Sequence, residues 1–182
     1  AEEIADADNG DPPDLMVADY TFTFSTPPVA ADDSYGPIVG NIPLQVPDGA
    51  SDLQANDQFM TLTDIRFGPT LETANSTLAN GTDAISTVNL GLVVMMPNGA
   101  FRYEPAPGFE GTDEFYYQLT SPGGLDTARV QITVEEVIWF VDASAPGAGD
   151  GRFHRPYPSL DNLGEFDLDD QDDFIFIYSG SY

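Results

Sequence analysis

The 182-residue sequence has no cysteine, no lysine and a single histidine, and no apolar run approaches the roughly 20 residues of a membrane span. Without cysteine there are no disulfides, no thiolate zinc sites and no thiol nucleophile. Basic charge is almost as scarce. Five arginines (Arg66, Arg102, Arg129, Arg152 and Arg155) face 31 acidic residues, for a formal charge of −26. Such a chain is a poor ligand for nucleic acid, whose phosphates need a positive surface, and for anionic lipid. It suits positive partners, and the calcium ion is the first of these. No stretch carries helical hydrophobic periodicity. The chain opens on Ala-Glu-Glu with no apolar targeting segment, which suits either a processed secreted protein or a piece of a longer one.

What is present is β-structure. An apolar fraction of 41% gives a core, and 15 prolines and 17 glycines punctuate it. Tyr20-Thr-Phe22-Thr-Phe24-Ser-Thr26 alternates aromatic and hydroxyl residues with period two, the signature of a half-buried strand that Pro27-Pro28 ends. Candidate strands follow at Ile42–Val46, Met60–Arg66, Ile85–Val88, Leu92–Met95, Phe101–Glu104, Glu114–Thr120 and Thr127–Val134. Turn chemistry separates them at Pro47-Asp48-Gly49, Pro97-Asn98-Gly99, Pro107-Gly108 and Pro122-Gly123-Gly124. This spacing predicts an antiparallel sandwich. Beyond residue 135 the pattern changes. Val137–Val141 and Phe174–Tyr178 are unbroken apolar runs, expected of strands buried on both faces, in a sheet that parallel pairing would suit.

Three stretches carry a resemblance. Ala31-Asp-Asp-Ser-Tyr35, Leu53-Gln-Ala-Asn-Asp57, Gly99-Ala-Phe-Arg-Tyr-Glu-Pro105 and Pro107-Gly-Phe-Glu-Gly-Thr-Asp-Glu-Phe115, followed by Asp126-Thr-Ala128, resemble the Ig-like or cadherin-like repeats of large bacterial surface proteins of the adhesin type. Thr70–Asn89 departs from that pattern. Residues 3–26 are similar to the last hairpin of another such repeat. Trp139–Asp142, Gly149–Arg152, Pro156–Leu160 and Asp172–Gly180 resemble the opening of a right-handed β-helix. The resemblance implies an all-β chain: an N-terminal strand arm (1–28), an Ig-like antiparallel sandwich (29–136) and a C-terminal β extension (137–182). It further implies a bacterial, secreted or cell-surface protein with a structural or adhesive rather than enzymatic role.

On this reading the two ends are incomplete. Tyr20, Phe22 and Phe24 in the arm, and Phe174, Phe176 and Tyr178 in the extension, lie on strands with too little of their own domain to pair with or pack on. Either they join the central sandwich, or they complete a neighbouring subunit by strand addition in a head-to-tail homopolymer. The acidic surface opposes the second unless salt or divalent cations intervene. Calcium takes six to eight oxygen ligands. Asp6, Asp8 and Asp11 offer closely spaced carboxylates, and Asp32-Asp33 sits at the arm–sandwich junction, where Asn56-Asp57 and Asp113 can converge on it. The competing reading is that such side chains cap their own turns. The acidic tract Asp167, Asp169, Asp170, Asp172 and Asp173 suits a solvated loop or weak cation binding. Arg152, His154, Arg155 and Tyr157 form the sole basic-aromatic cluster, suited to acidic sugar, another cell-surface protein or an acidic loop of a second copy, or to local ion pairs. A lone His154 makes a weak catalytic candidate. A β-helix polysaccharide-active enzyme fragment is the remaining alternative.

Overall fold

The computed structural model describes residues 24–165 and 173–180. Ten strands occur among them. They are β1 (Asp33–Gly40), β2 (Leu44–Val46), β3 (Asp64–Gly68), β4 (Thr77–Leu78), β5 (Ala84–Ser86), β6 (Leu92–Met95), β7 (Phe101–Glu104), β8 (Gly111–Ser121), β9 (Gly124–Val141) and β10 (Phe174–Ile177). One sheet runs β1-β9-β8-β3-β4, with β10 attached to β9; the other runs β2-β7-β6-β5. Between the sheets Phe67, Phe101, Tyr103, Phe115, Tyr117, Leu119, Val130 and Ile132 are fully enclosed. They come from alternate positions of β3, β7, β8 and β9, which makes this an Ig-like β-sandwich.

Alternation is clearest on β8, where Asp113, Phe115, Tyr117 and Leu119 point inward and Glu114, Tyr116 and Gln118 do not. The Ser121–Gly124 turn returns the chain in register as β9. That strand is longer than its sequence suggests. Thr127–Val134 and Val137–Val141, read above as two strands, are one 18-residue strand. At roughly 3.3 Å per residue it is about 60 Å long. Ala128, Val130, Ile132 and Val134 face the sandwich, Glu135 and Glu136 are exposed, and burial resumes at Val137. Glu136 has φ of 60°. This local irregularity moves the inward face from even to odd positions, so one strand serves two cores. The second core holds Val137, Trp139, Val141, Tyr157 and Leu163, with Trp139 and Tyr157 stacked at 6.1 Å between ring centroids.

Pairing is antiparallel except at two edges. β1 runs parallel to β9, with register shifts between Tyr35 and Gly40. Its sequence, DSYGPIVG, has no alternation and was not legible as a strand. β10 also runs parallel to β9, pairing Phe174 with Ile138 through to Ile177 with Val141 without slip. On the other side of β9, Tyr157 forms a parallel bridge to Val141.

Three expectations need correction. The proposed strand from Met60 begins only at Asp64, because Met60 is exposed in a loop. The run at Phe174–Ile177 is not buried on both faces: its four side chains are 46–56% exposed, and the strand pairs with β9 along one edge. Its backbone is nonetheless paired within the chain, so β10 is a sheet edge rather than an orphan. In the arm, Tyr20 and Phe22 lie outside the described residues. Phe24 is 87% exposed, and Thr26 lies against the β8–β9 turn, its carbonyl accepting from the Ser121 hydroxyl at 3.2 Å. The arm therefore meets the sandwich at one end of β9, and the extension leaves from the other.

Candidate functional site

Three polar constellations are assembled by this fold. The first lies where the arm enters. Tyr117, inward on β8, places its hydroxyl within 3.0 Å of both Asp57 oxygens, 3.2 Å from Asp33 Oδ2, 2.9 Å from the Leu53 carbonyl and 3.2 Å from the Ala31 carbonyl. Asn56 Nδ2 donates to Asp33 Oδ1 at 3.1 Å, and the Ala31 N–H donates to Asp57 Oδ1 at 2.8 Å. One phenolic proton cannot serve five oxygens. Burial, then the nearby Asp57 charge, pushes the Asp33 carboxyl up to about 7 despite the bonds from Tyr117 and Asn56. Burial also raises Asp57, against the Ala31 N–H and Tyr117 bonds. Below about pH 7 a proton on Asp33 supplies the missing donor.

The consequence for stability has a definite sign. The folded-state value lies above the ordinary 3.8, so the folded chain holds a proton that the unfolded chain releases. The stabilisation is complete below pH 4 and is lost as pH rises through 7. Asp33 is only half-buried, so solvent screening reduces the effect to on the order of 1 kcal/mol. Raising the pH from 5.5 to 8 should lower the unfolding temperature by about 2–4 °C for a chain this size. Thermal unfolding of Asp33→Asn followed by circular dichroism should show a flatter pH response; an unchanged slope would remove Asp33 as its source.

Of the sequence-predicted metal ligands, Asp6, Asp8 and Asp11 lie outside the described residues. Asp32 and Asp33 are neighbours with separate tasks. Asp32 accepts from the Arg129 N–H at 2.8 Å and pairs with its guanidinium at 3.4 Å, while Asp33 turns to Tyr117 and Asn56. Asn56 and Asp57 do converge with Asp33. No group of three or more His, Cys, Asp or Glu side chains suited to a metal ion occurs among the described residues.

Asp113 does not join them. It is fully enclosed and accepts from Thr87 Oγ1 at 2.6 Å, Tyr103 OH at 2.8 Å and the Glu114 N–H at 2.9 Å. Burial, then the Asp113 charge, raises the Tyr103 phenol, which stays a donor. This second constellation is a polar knot inside the sandwich.

The third joins sandwich to extension. Arg102 and Arg152 share Glu104, each at 3.0 Å; Arg152 and Arg155 share Asp150 at 2.8 and 3.2 Å. The chain Arg102–Glu104–Arg152–Asp150–Arg155 thus bridges β7 and the loop after β9. Although burial alone would raise the Asp150 carboxyl, the Arg152 hydrogen bond and charge hold it below the usual range. Neither counter-ion was singled out in the sequence, because acids are too common there to mark. Of the sequence-predicted cluster, Arg152 and Arg155 are therefore spent on local ion pairs, and Arg152 is only 12% exposed. Tyr157 is not on the surface: it is 4% exposed, stacked on Trp139. His154 lines a groove of about 890 Å³ with Gln45, Asp48, Met96, Asn98 and Arg102.

Beside this network lies β10. The rings of Phe140, Phe176 and Tyr178 sit 5.7 and 6.5 Å apart on its outer face, with Phe153 against Phe140 at 5.5 Å. Of the six assembly residues read from the sequence, Phe174, Phe176 and Tyr178 form this face, Phe24 is exposed at the far end of β9, and Tyr20 and Phe22 fall outside the described residues.

In comparisons with known proteins, a family model described as a bacterial Ig domain matches residues 25–133. No curated protein and no solved structure matches the chain.

Proposed function

Because the chain belongs to the bacterial Ig domain family, we propose that it is a structural module of a bacterial surface or secreted fibre, joined to other copies by β-strand addition. The family supports a non-enzymatic surface or structural module. No helix among the described residues is long and apolar enough to cross a membrane. The observation that carries the fibre reading is β9, one strand built into two cores, with the arm at one end and the extension at the other. A shared strand and a partly buried arginine–carboxylate bridge make a stiff connection, as a spacer under tension needs. The slip-free parallel pairing of β10 supports reading the extension as the opening turn of a parallel coil. The exposed apolar edge supports strand addition.

Calcium belongs to the proposal as a diffuse counter-ion that lets surfaces of −26 approach. Sedimentation velocity at physiological salt should show mass rising above 19.6 kDa with concentration, more so with millimolar calcium, and falling again with EDTA. Monomer at every concentration would overturn the fibre reading. Insensitivity to EDTA would remove calcium alone.

The groove beside His154 favours a second reading, an adhesin module that binds glycan. Its planar polar lining (Gln45, Asn98, Arg102, Asp48, His154) and its apolar floor are the chemistry of a small-ligand pocket. Glycan-array binding abolished by Arg102→Ala in a monomeric chain would favour it.

A further inference from the structure

Tension along a chain enters a domain through its first strand and leaves through its last, so the way those two lie together decides what the force must break. Here the segment from Thr26 to Gly40 runs beside β9 in the same direction. The Thr26 carbonyl accepts from Ser121 at the turn before β9, and a Cβ on Gly124 would lie 3.1 Å from Pro27. The Ala30 N–H donates to Asp126 Oδ2 at 2.9 Å, and Asp32 Oδ1 accepts from the Arg129 N–H at 2.8 Å. The parallel ladder then takes over, from Asp33 opposite Val130 to Gly40 opposite Val137.

The strap formed by residues 26–32 is also fastened to the loop at 56–58. Val29 and Gln58 exchange backbone hydrogen bonds at 2.8 and 2.9 Å. The Ala31 N–H donates to Asp57 Oδ1 at 2.8 Å, and Asn56 Nδ2 donates to the Asp32 carbonyl at 3.3 Å. Residues 29 and 31 thus bond the loop while residue 30 bonds β9, the alternation of an extended strand with a partner on each edge. Three carboxylates, Asp32, Asp57 and Asp126, supply acceptors where no ladder exists.

We propose that this segment is a tension clamp, in which force drawn out through Thr26 and Val141 loads the strap and β1 in shear against β9. In a parallel pair the start of one strand and the end of the other lie at opposite ends. Pulling therefore slides the strands along their axis, and all fastenings share the force and fail together. An antiparallel first and last strand would have both points at one end and open one bond at a time. Resistance to forced unfolding is set by the unfolding barrier rather than by equilibrium stability, so this geometry matters more than the number of bonds. The Asp57 and Asp126 bonds stand where the force arrives and keep the strap from being drawn out first. The sheet β2-β7-β6-β5 contains neither strand and lies outside the path. The clamp rests on the reading of a spacer under tension and names the element that bears it.

With no native cysteine, pulling handles can be placed at chosen exposed positions of the full chain. Thr26→Cys with Ala148→Cys pulls along the clamp; Thr26→Cys with Leu125→Cys pulls the strap away from the start of β9. In single-molecule force spectroscopy the first pair should rupture at about twice the force of the second or more. Asp126→Ala should lower the force along the clamp. Ile85→Ala, which removes core volume from β5, should lower the melting temperature and leave that force unchanged. Equal forces in the two directions overturn the clamp, and so does an Ile85→Ala loss of force as large as that of Asp126→Ala. Because single molecules are pulled, these outcomes do not depend on association. Equal forces leave the fibre reading to its sedimentation test, and monomer in that test leaves the clamp standing as a property of one chain.

Discussion

Asp113→Ala should destabilise the sandwich by about 2–4 kcal/mol, a large share of the ~5–15 kcal/mol that holds a domain together. The substitution leaves the Tyr103 hydroxyl, the Thr87 hydroxyl and the Glu114 N–H without the acceptor they share. Two of those donors are in the core, where a hydroxyl that loses its partner has no water to replace it. Space is also left where the carboxylate stood beside Gly91. A Cβ on Gly91 would sit 2.7 Å from Asp113 Oδ2, so the site is tightly filled. Asp113→Asn keeps the shape and one oxygen, so about half of the loss should return. Urea unfolding tests this directly: the midpoint should fall with the slope unchanged. A midpoint shift of a few tenths of a molar for Asp113→Ala would mean that the hydroxyls find other partners.

Gly151→Val should separate the two cores. Gly151 has φ of +77°, a conformation that a β-branched residue adopts only at considerable cost. A Cβ there would lie 2.4 Å from the Trp139 ring and 2.5 Å from Tyr157. Strain and overpacking together amount to about 3 kcal/mol or more, directed at the stack that anchors the extension. Its carbonyl also accepts from the Phe140 N–H at 2.9 Å, so a shift of this residue disturbs β9 itself. Trp139 is the sole tryptophan, so its emission reports on this core alone. The expected result is red-shifted Trp139 fluorescence in native buffer, with the sandwich's cooperative unfolding retained. Loss of both together would mean that the shared strand makes one cooperative unit. That outcome would place the boundary near residue 136 in sequence only.

The sandwich was legible because its signals are local. Leu92–Met95 and Phe101–Glu104 are set off by Pro-Asn-Gly and Glu-Pro punctuation, and the structure has strands with those same bounds. Strand β1 was illegible because the register shifts between Tyr35 and Gly40 break its period of two. The fusion of two predicted strands into β9 was hidden by Glu135-Glu136, which reads as a break and is instead an irregularity that rotates the strand's inward face. Asp33 and Asp57 were both noted as acids near a junction. That they meet on the hydroxyl of Tyr117, 60 positions from Asp57, follows only from how β8 lies beneath them. Arg152 and Arg155 read as either a basic patch or local ion pairs, and only the fold brings Glu104 and Asp150 alongside to make the pairs.

By itself, the sequence determined an acidic all-β chain with an aromatic core, no thiol chemistry and two apolar ends, because composition and period-two alternation are properties of neighbours along the chain. Tertiary structure decided which carboxylates are paired and which are buried. It also decided that Phe174–Ile177 is an exposed strand paired along one edge with β9 rather than a core strand. Those outcomes depend on distances between residues tens of positions apart, which no local pattern encodes.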